Sequence, residues 1–272
     1  MNSPEEMMFG YGLASGQPIE EVASKTLFTI HVGGLEIPFT NHMFMIMLSS
    51  LVLMIVLPAV VRRPTLIPRG LRNAIEAICV FLREDVARPF LKERTDYYIP
   101  VLWTLFFFIL TLNLLGIVPL DRIFWLITGK PNWGGAATAN LYITGALAVF
   151  SFLLFHAAGM KEKGVWKYFA TLAPKVPWPI RPFMFLMELL SSFVRMFSLA
   201  IRLFANILSG HILLVVLLGF ILIYKNFMVA SASIIVTTLM SLLELFVAFL
   251  QAYIFTFLTA IFIGFAISEE EH

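Results

Sequence analysis

From Phe183 to the C-terminus the chain contains no proline, and a sustained polar break occurs only at "YKN", Tyr224–Asn226. Two apolar runs of 41 residues flank it, Phe183–Ile223 and Phe227–Ile267. At 1.5 Å per residue each would form a helix of about 60 Å, twice the roughly 30 Å of a bilayer's hydrocarbon layer. Upright packing would leave apolar turns in water. The lengths therefore predict a strongly tilted antiparallel pair.

Composition agrees with a membrane setting. The chain is 60% hydrophobic and 13% charged, whereas soluble domains are nearer half apolar and a quarter charged. The reading is an all-α polytopic membrane protein with about five membrane helices plus amphipathic interfacial helices. Residues 1–42 form an N-terminal extramembrane segment, and 43–272 a single membrane domain. Spans are expected at about 43–61, 97–120 and 138–160, with tilted helices at 183–223 and 227–267. "LIPRGLRNAIEAICVFLREDVARPF" places Leu71, Ile75, Ile78 and Leu82 at helical spacing among charged residues, which predicts a helix lying on the membrane at about 66–90. "FTIHVGGLEIPFT" suggests a hairpin around Gly33–Gly34. Trp125 and Trp133, in a loop after the second span, suit interfacial anchoring.

Eight of the 19 Lys and Arg lie in the 62–94 connection and five in 161–181. The positive-inside rule then puts the N-terminus outside and the "SEEEH" tail in the cytoplasm. A single cysteine, Cys79, excludes an internal disulfide, and the histidines at 31, 42, 156, 211 and 272 lack metal-ligand spacing. No metal, cofactor or nucleic acid is expected. The N-terminus lacks a cleavable signal pattern, and no internal repeat is visible.

Glu188, Arg195, Arg202 and Ser209 recur every seven residues, with Ser191, Ser192, Ser198 and Asn206 between them. The second long run carries Thr237, Ser241, Glu244 and Gln251. An ionisable group in a span costs about 2.5–3.5 kcal/mol on insertion scales and marks a pathway or a pair. Glu188 and Arg195 could simply pair locally or snorkel. His156, near a span end, reads as an interface residue. Counting outward from a turn at 225–226 puts Arg202 level with residue 249, within a turn of Gln251, and Asn206 level with residue 245, beside Glu244. His211 falls about one turn from Glu244.

Arg202 keeps its charge at any relevant pH and is a poor proton carrier. Glu188 lies 14 residues away, about 21 Å along a helix. The arginine thus lacks a dedicated anion in its own chain, and another subunit is expected to supply one. Burial and mutual attraction act in opposite senses on His211 and Glu244, so that pair can titrate near neutrality and pass protons.

These residues resemble a known family. "LAIRLFANILSGH" and "LLELFVAFLQAYIFTFLT", with "NLLGIVP" and "TANLYITGALA", are similar to subunit a of the F-type (rotary) ATP synthase. The resemblance implies a proton-channel stator, not catalytic by itself, providing two half-channels to and from a c-ring carboxylate. By that resemblance Arg202 is the essential arginine, and Gln251 and Asn206 are its polar neighbours. His211 and Glu244 are the paired groups of the outer half-channel. Glu188, Ser191 and Ser198 form the cytoplasmic polar line, and Asn113 and Asn140 line the outer entrance. Met196 stands where many relatives have proline, which bears on the path of the inner half-channel. Implied partners are the c-ring subunits, b-type peripheral stalk subunits, the rest of the complex and the lipid bilayer. The implied location is a bacterial inner (plasma) membrane in preference to the mitochondrial one. The rivals are a proton-coupled secondary transporter, which should show a repeat, and a structural membrane subunit, which leaves the buried charges unexplained. The chain has no phosphate-binding glycine loop, so nucleotide chemistry belongs to other subunits.

Overall fold

The computed structural model describes residues 24–32, 35–61, 70–118, 120–128, 133–171, 179–224 and 226–267. Five of its helices are long and apolar enough to cross a membrane. The protein is an all-α membrane protein carrying one small N-terminal hairpin among the described residues. Strands β1 (Thr26–Val32) and β2 (Leu35–Thr40) pair antiparallel, with Ile30 opposite Ile37 and Val32 opposite Leu35. Gly33 and Gly34, around which the hairpin was expected, lie outside the described residues.

Caps set the helix limits more than hydropathy does. Helix α1 (Asn41–Val61) starts two residues before the expected span, because Thr40 Oγ1 accepts from the Met43 amide at 3.4 Å. Helix α2 (Leu71–Phe81) is the amphipathic helix; helical turns carry it on to Leu91, one residue past the expected end at 90, while residues 66–69 of the expected helix lie outside the described residues. It passes into a π turn, Leu82–Ala87, one α turn, Arg88–Leu91, and a 3-10 turn, Lys92–Arg94, before α3 (Thr95–Ile117). Pro89 has no amide proton for the carbonyl four residues back, which removes one α hydrogen bond from this stretch and favours its irregular turns. Lys92 turns the chain at φ 48°.

Residues 120–128, expected as loop, form a short helix α4 (Leu120–Thr128). Helix α5 (Leu141–Lys163) begins three residues later than the expected 138 because Asn140 caps it, its Oδ1 accepting from the Tyr142 amide at 2.9 Å. It ends at Gly164, whose φ of 80° suits glycine. Helix α6 (Val165–Thr171) follows inside what read as a polar connection. The long helices are α7 (Arg181–Tyr224) and α8 (Phe227–Ile267). Asn226 starts α8 by accepting from the Met228 amide at 3.0 Å.

Two compact units divide these elements. The first comprises Met1–Leu53, Phe108–Ile143 and Arg202–Gln251. Its buried residues include Met45, Ile109, Leu112, Leu203 and Ile207, with a polar set of Asn41, His42, Asn113, Thr138, Glu244 and Gln251. The second comprises Met54–Phe107, Thr144–Ile201 and Ala252–His272. It buries Leu82, Val86, Leu102, Phe106, Phe255 and Ile263. Polar ties stitch its ends: Trp103 Nε1 donates to the Cys79 carbonyl at 3.0 Å, and Arg94 meets Glu162 at 2.8 Å.

Candidate functional site

The polar groups of the first unit converge on α8. Glu244 is 6% exposed and Gln251 2%. The Asn206 amide, on α7, donates to Gln251 Oε1 at 2.9 Å. One turn on, Gly210 faces Glu244 so closely that a Cβ there would lie 3.0 Å from Oε1. Asn113, fully buried on α3, donates to the Ala248 carbonyl at 3.3 Å, between the levels of Glu244 and Gln251. The 136–139 turn closes the set, with Ala136 and Ala139 packed on Ile207.

The expected register is corrected here. Asn206 meets Gln251 and not residue 245, and Glu244 faces Gly210, where counting from the turn offers Ser241. Cβ atoms lean toward the N-terminus of their own helix. In an antiparallel pair this carries α7 side chains away from the turn and α8 side chains toward it. Partners therefore both lie later in sequence than mirror counting gives.

Several buried polar atoms of this unit have no hydrogen-bond partner among the described residues: Asn113 Oδ1, Thr138 Oγ1, Thr237 Oγ1, Glu244 Oε2 and Gln251 Nε2. Buried polar groups of a native interior almost always have a partner, so these atoms are positions at which water or a further group can bind. Arg202, one turn before Asn206, is exposed, and among the described residues no carboxylate lies within ion-pair distance of it. His211 lies in α7, but its side chain, and so its expected pairing with Glu244, falls outside the described residues, as do the side chains of Met196 and Trp125.

Elsewhere in this unit, Asn140 Nδ2 lies 3.1 Å from His42 Nδ1, and Asn41 Nδ2 donates to the Gly134 carbonyl at 2.8 Å. Trp133 packs edge-on to Phe44. Sequence reasoning passed over His42, although a histidine at the head of a span was a visible signal.

The residues expected as a cytoplasmic polar line, Glu188, Ser191 and Ser198, fall in the second unit. Arg195 Nη2 lies 3.5 Å from Glu188 Oε1, the local pairing that their spacing allowed, and its guanidinium sits 5.6 Å from the Phe262 ring. Ser191 is half-buried and Ser198 exposed. Ser192, not Ser191, makes a buried contact, its Oγ 3.3 Å from His156 Nε2. His156, read as an interface residue, is instead buried and also meets the Tyr168 hydroxyl at 2.7 Å.

A family model described as "ATP synthase A chain" matches residues 43–264. The chain belongs to that family. A relative from Anaeromyxobacter sp. (strain Fw109-5), described as ATP synthase subunit a, is 38% identical over 95% of this chain and 61% of its own length. The Chloroherpeton thalassium relative, with the same description, is 35% identical, covering 89% of this chain and 71% of that one. A protein of Prosthecochloris aestuarii described as ATP synthase subunit a 2 is 38% identical over 96% of this chain and 78% of itself. This chain therefore spans under two thirds of the first of these relatives and more of the other two. The matched region contains both polar arrays, the one around Glu244 and the one around Glu188.

Proposed function

We propose that this chain is the stator subunit of a proton-driven rotary ATP synthase. It carries protons along two half-channels to and from a carboxylate on a ring of partner subunits. Arg202 is the observation that carries the reading. It is a permanent cation in a membrane helix, exposed, and without a carboxylate in ion-pair range among the described residues. A charge of that kind costs about 2.5–3.5 kcal/mol to insert unless something answers it. An acid on a neighbouring subunit, passing repeatedly, is the answer that fits.

The polar groups of each unit then have separate tasks. Asn140, Asn113, His211 and Glu244 form the outer entrance, where the orphaned atoms of Asn113, Thr138 and Glu244 hold water or the incoming proton. A ring carboxylate that takes this proton is neutral and can move through lipid, as an ionised one could not cheaply do. Glu188, Ser191 and Ser198 form the exit. There the ring carboxylate loses its proton, and the resulting anion is drawn to Arg202. Asn206 and Gln251 hold one another beside the arginine helix turn and limit the groups that can bind it internally. The fixed cation also repels protons that would pass straight from entrance to exit.

The chain itself does no nucleotide chemistry. Its partners are the c-ring, b-type stalk subunits and the rest of the complex, in a bacterial inner membrane with the N-terminus outside and the C-terminal tail cytoplasmic. The deciding experiment is Arg202→Ala in the complete complex, reconstituted in vesicles with and without sodium. Proton-driven ATP synthesis should fall to background while the complex assembles. Synthesis at the unsubstituted rate would defeat the assignment.

A further inference from the structure

We propose that His156 is a positioning residue of the proton exit, clamping α6 through Tyr168 and α7 through Ser192, so that α6 is fixed against the turn of α7 that carries Glu188. The proposal rests on the half-channel reading above and concerns the second unit alone.

The clamp is a built feature. His156 on α5 is 9% exposed, and each ring nitrogen meets one hydroxyl, Nδ1 with Tyr168 Oη at 2.7 Å and Nε2 with Ser192 Oγ at 3.3 Å. Three elements therefore meet at one imidazole. Ser192 lies one helical turn after Glu188, so the clamp holds the segment that presents the exit carboxylate. Gly164 turns the chain back so that α6 returns along α5. Gly159 leaves room for the returning Tyr168, since a Cβ there would lie 2.2 Å from its ring. Phe152 and Phe155 flank the imidazole at 4.3 and 4.5 Å between centroids.

The hydroxyls of the clamp keep their protons whatever the charge nearby. Burial first, and the charge of Glu188 second, push the Tyr168 phenol up to about 12. A phenol is neutral at working pH even without this shift, and the shift widens that margin, so the O–H stays available to the imidazole. Among the described residues, the charge that bears on Tyr168 is that of Glu188 from α7, itself paired with Arg195. Helix α8 contributes Phe262, which is apolar and packs on Phe155. Either imidazole tautomer satisfies the two hydroxyls, because each can donate or accept. The clamp thus persists while the proton load of Glu188 changes.

The test uses the complete complex in vesicles, with proton flux measured against pH on each face separately. Tyr168→Phe keeps the ring against Gly159 and removes only the O–H. It should assemble, slow proton release by about two- to tenfold, the range an ordinary hydrogen bond represents, and shift the inner-face pH profile while leaving the outer-face profile in place. His156→Phe should do the same, and His156→Gln should recover part of the rate. If His156→Phe fails to assemble, Tyr168→Phe decides. An assembled Tyr168→Phe complex whose two profiles superimpose on the unsubstituted ones overturns the clamp, because a structural tie alone would change stability and not the profile. Glu188→Gln tests the underlying reading separately. If it leaves the inner-face profile unmoved, the exit assignment fails. If it shifts that profile and Tyr168→Phe does not, the clamp alone is rejected.

Discussion

At Gly210 the absence of one methyl group decides where a buried acid can sit. A Cβ there would come 3.0 Å from Glu244 Oε1 and 3.2 Å from its Cδ. The carboxylate is the free end of a flexible side chain, so Gly210→Ala should displace it by rotation without breaking the packing of α7 on α8. The expected outcome is an assembled complex with slower proton uptake from the outer face, and a further slowing in Gly210→Val. Passive proton flux through membranes stripped of the ATPase head measures this. Unchanged flux in the valine variant would mean that the position of the Glu244 carboxylate is immaterial. The Asn206–Gln251 hydrogen bond, at 2.9 Å, offers a cleaner energetic reading. Asn206→Ala and Gln251→Ala, alone and together, should show a coupling of about 0.5–1.5 kcal/mol in thermal unfolding of the complex. Additive losses would show that the two amides act independently. Arg202, one turn away, should lose proton coupling in Gln251→Leu to a smaller degree than in its own alanine variant.

Between elements, close approach rests on glycines. At Gly264 on α8 a Cβ would lie 2.9 Å from both the Cβ and the carbonyl oxygen of Phe90, and backbone cannot yield as a side-chain tip can. Gly264→Ala should therefore push α8 off the Arg88–Leu91 turn and cost about 1–3 kcal/mol, the usual range for overpacking. The thermal midpoint of the detergent-solubilised complex reads it, and an unchanged midpoint would show that the turn moves freely. The sequence disclosed these elements unevenly. Long apolar runs announced all five membrane helices, because no other structure satisfies so much backbone in lipid. Their limits were less visible, since Asn140 and Thr40 act as caps through single hydrogen bonds that hydropathy does not register. Helices α4 and α6 have nine and seven residues of mixed polarity, too few for a clear period. The turn at Lys92 has no glycine to betray its positive φ. At the site, Arg202, Glu244 and Gln251 were conspicuous because each is expensive in a membrane. His156 was not, because its partners come from 12 and 36 residues away and only folding brings them to its ring.

For the whole molecule, charge and length constrain orientation independently. Fourteen of the 19 Lys and Arg fall in the segments of the second unit, and five in those of the first. Basic residues are retained on the cytoplasmic side, so the 62–94 and 161–181 connections, with 13 of the 19, should lie at the cytoplasmic face and the β1–β2 hairpin outside. Cys79→Ser supplies a cysteine-free background in which Thr29→Cys and Lys167→Cys can each be tested with a membrane-impermeant maleimide. Both positions are exposed. Thr29→Cys should label from the outside only, and Lys167→Cys only in inverted vesicles. The opposite pattern would invert the proposed entrance and exit together. Helix length adds a second requirement. With 44 and 41 residues, α7 and α8 extend about 66 and 62 Å at 1.5 Å per residue. A layer of about 30 Å can hold them only at steep inclination. Under the proposed function, inclination would let such a helix run beside a partner ring for many turns. Orientation measurements in aligned bilayers that place both helices within about 30° of the normal would remove that arrangement, and with it the reason for two apolar helices of twice the required length.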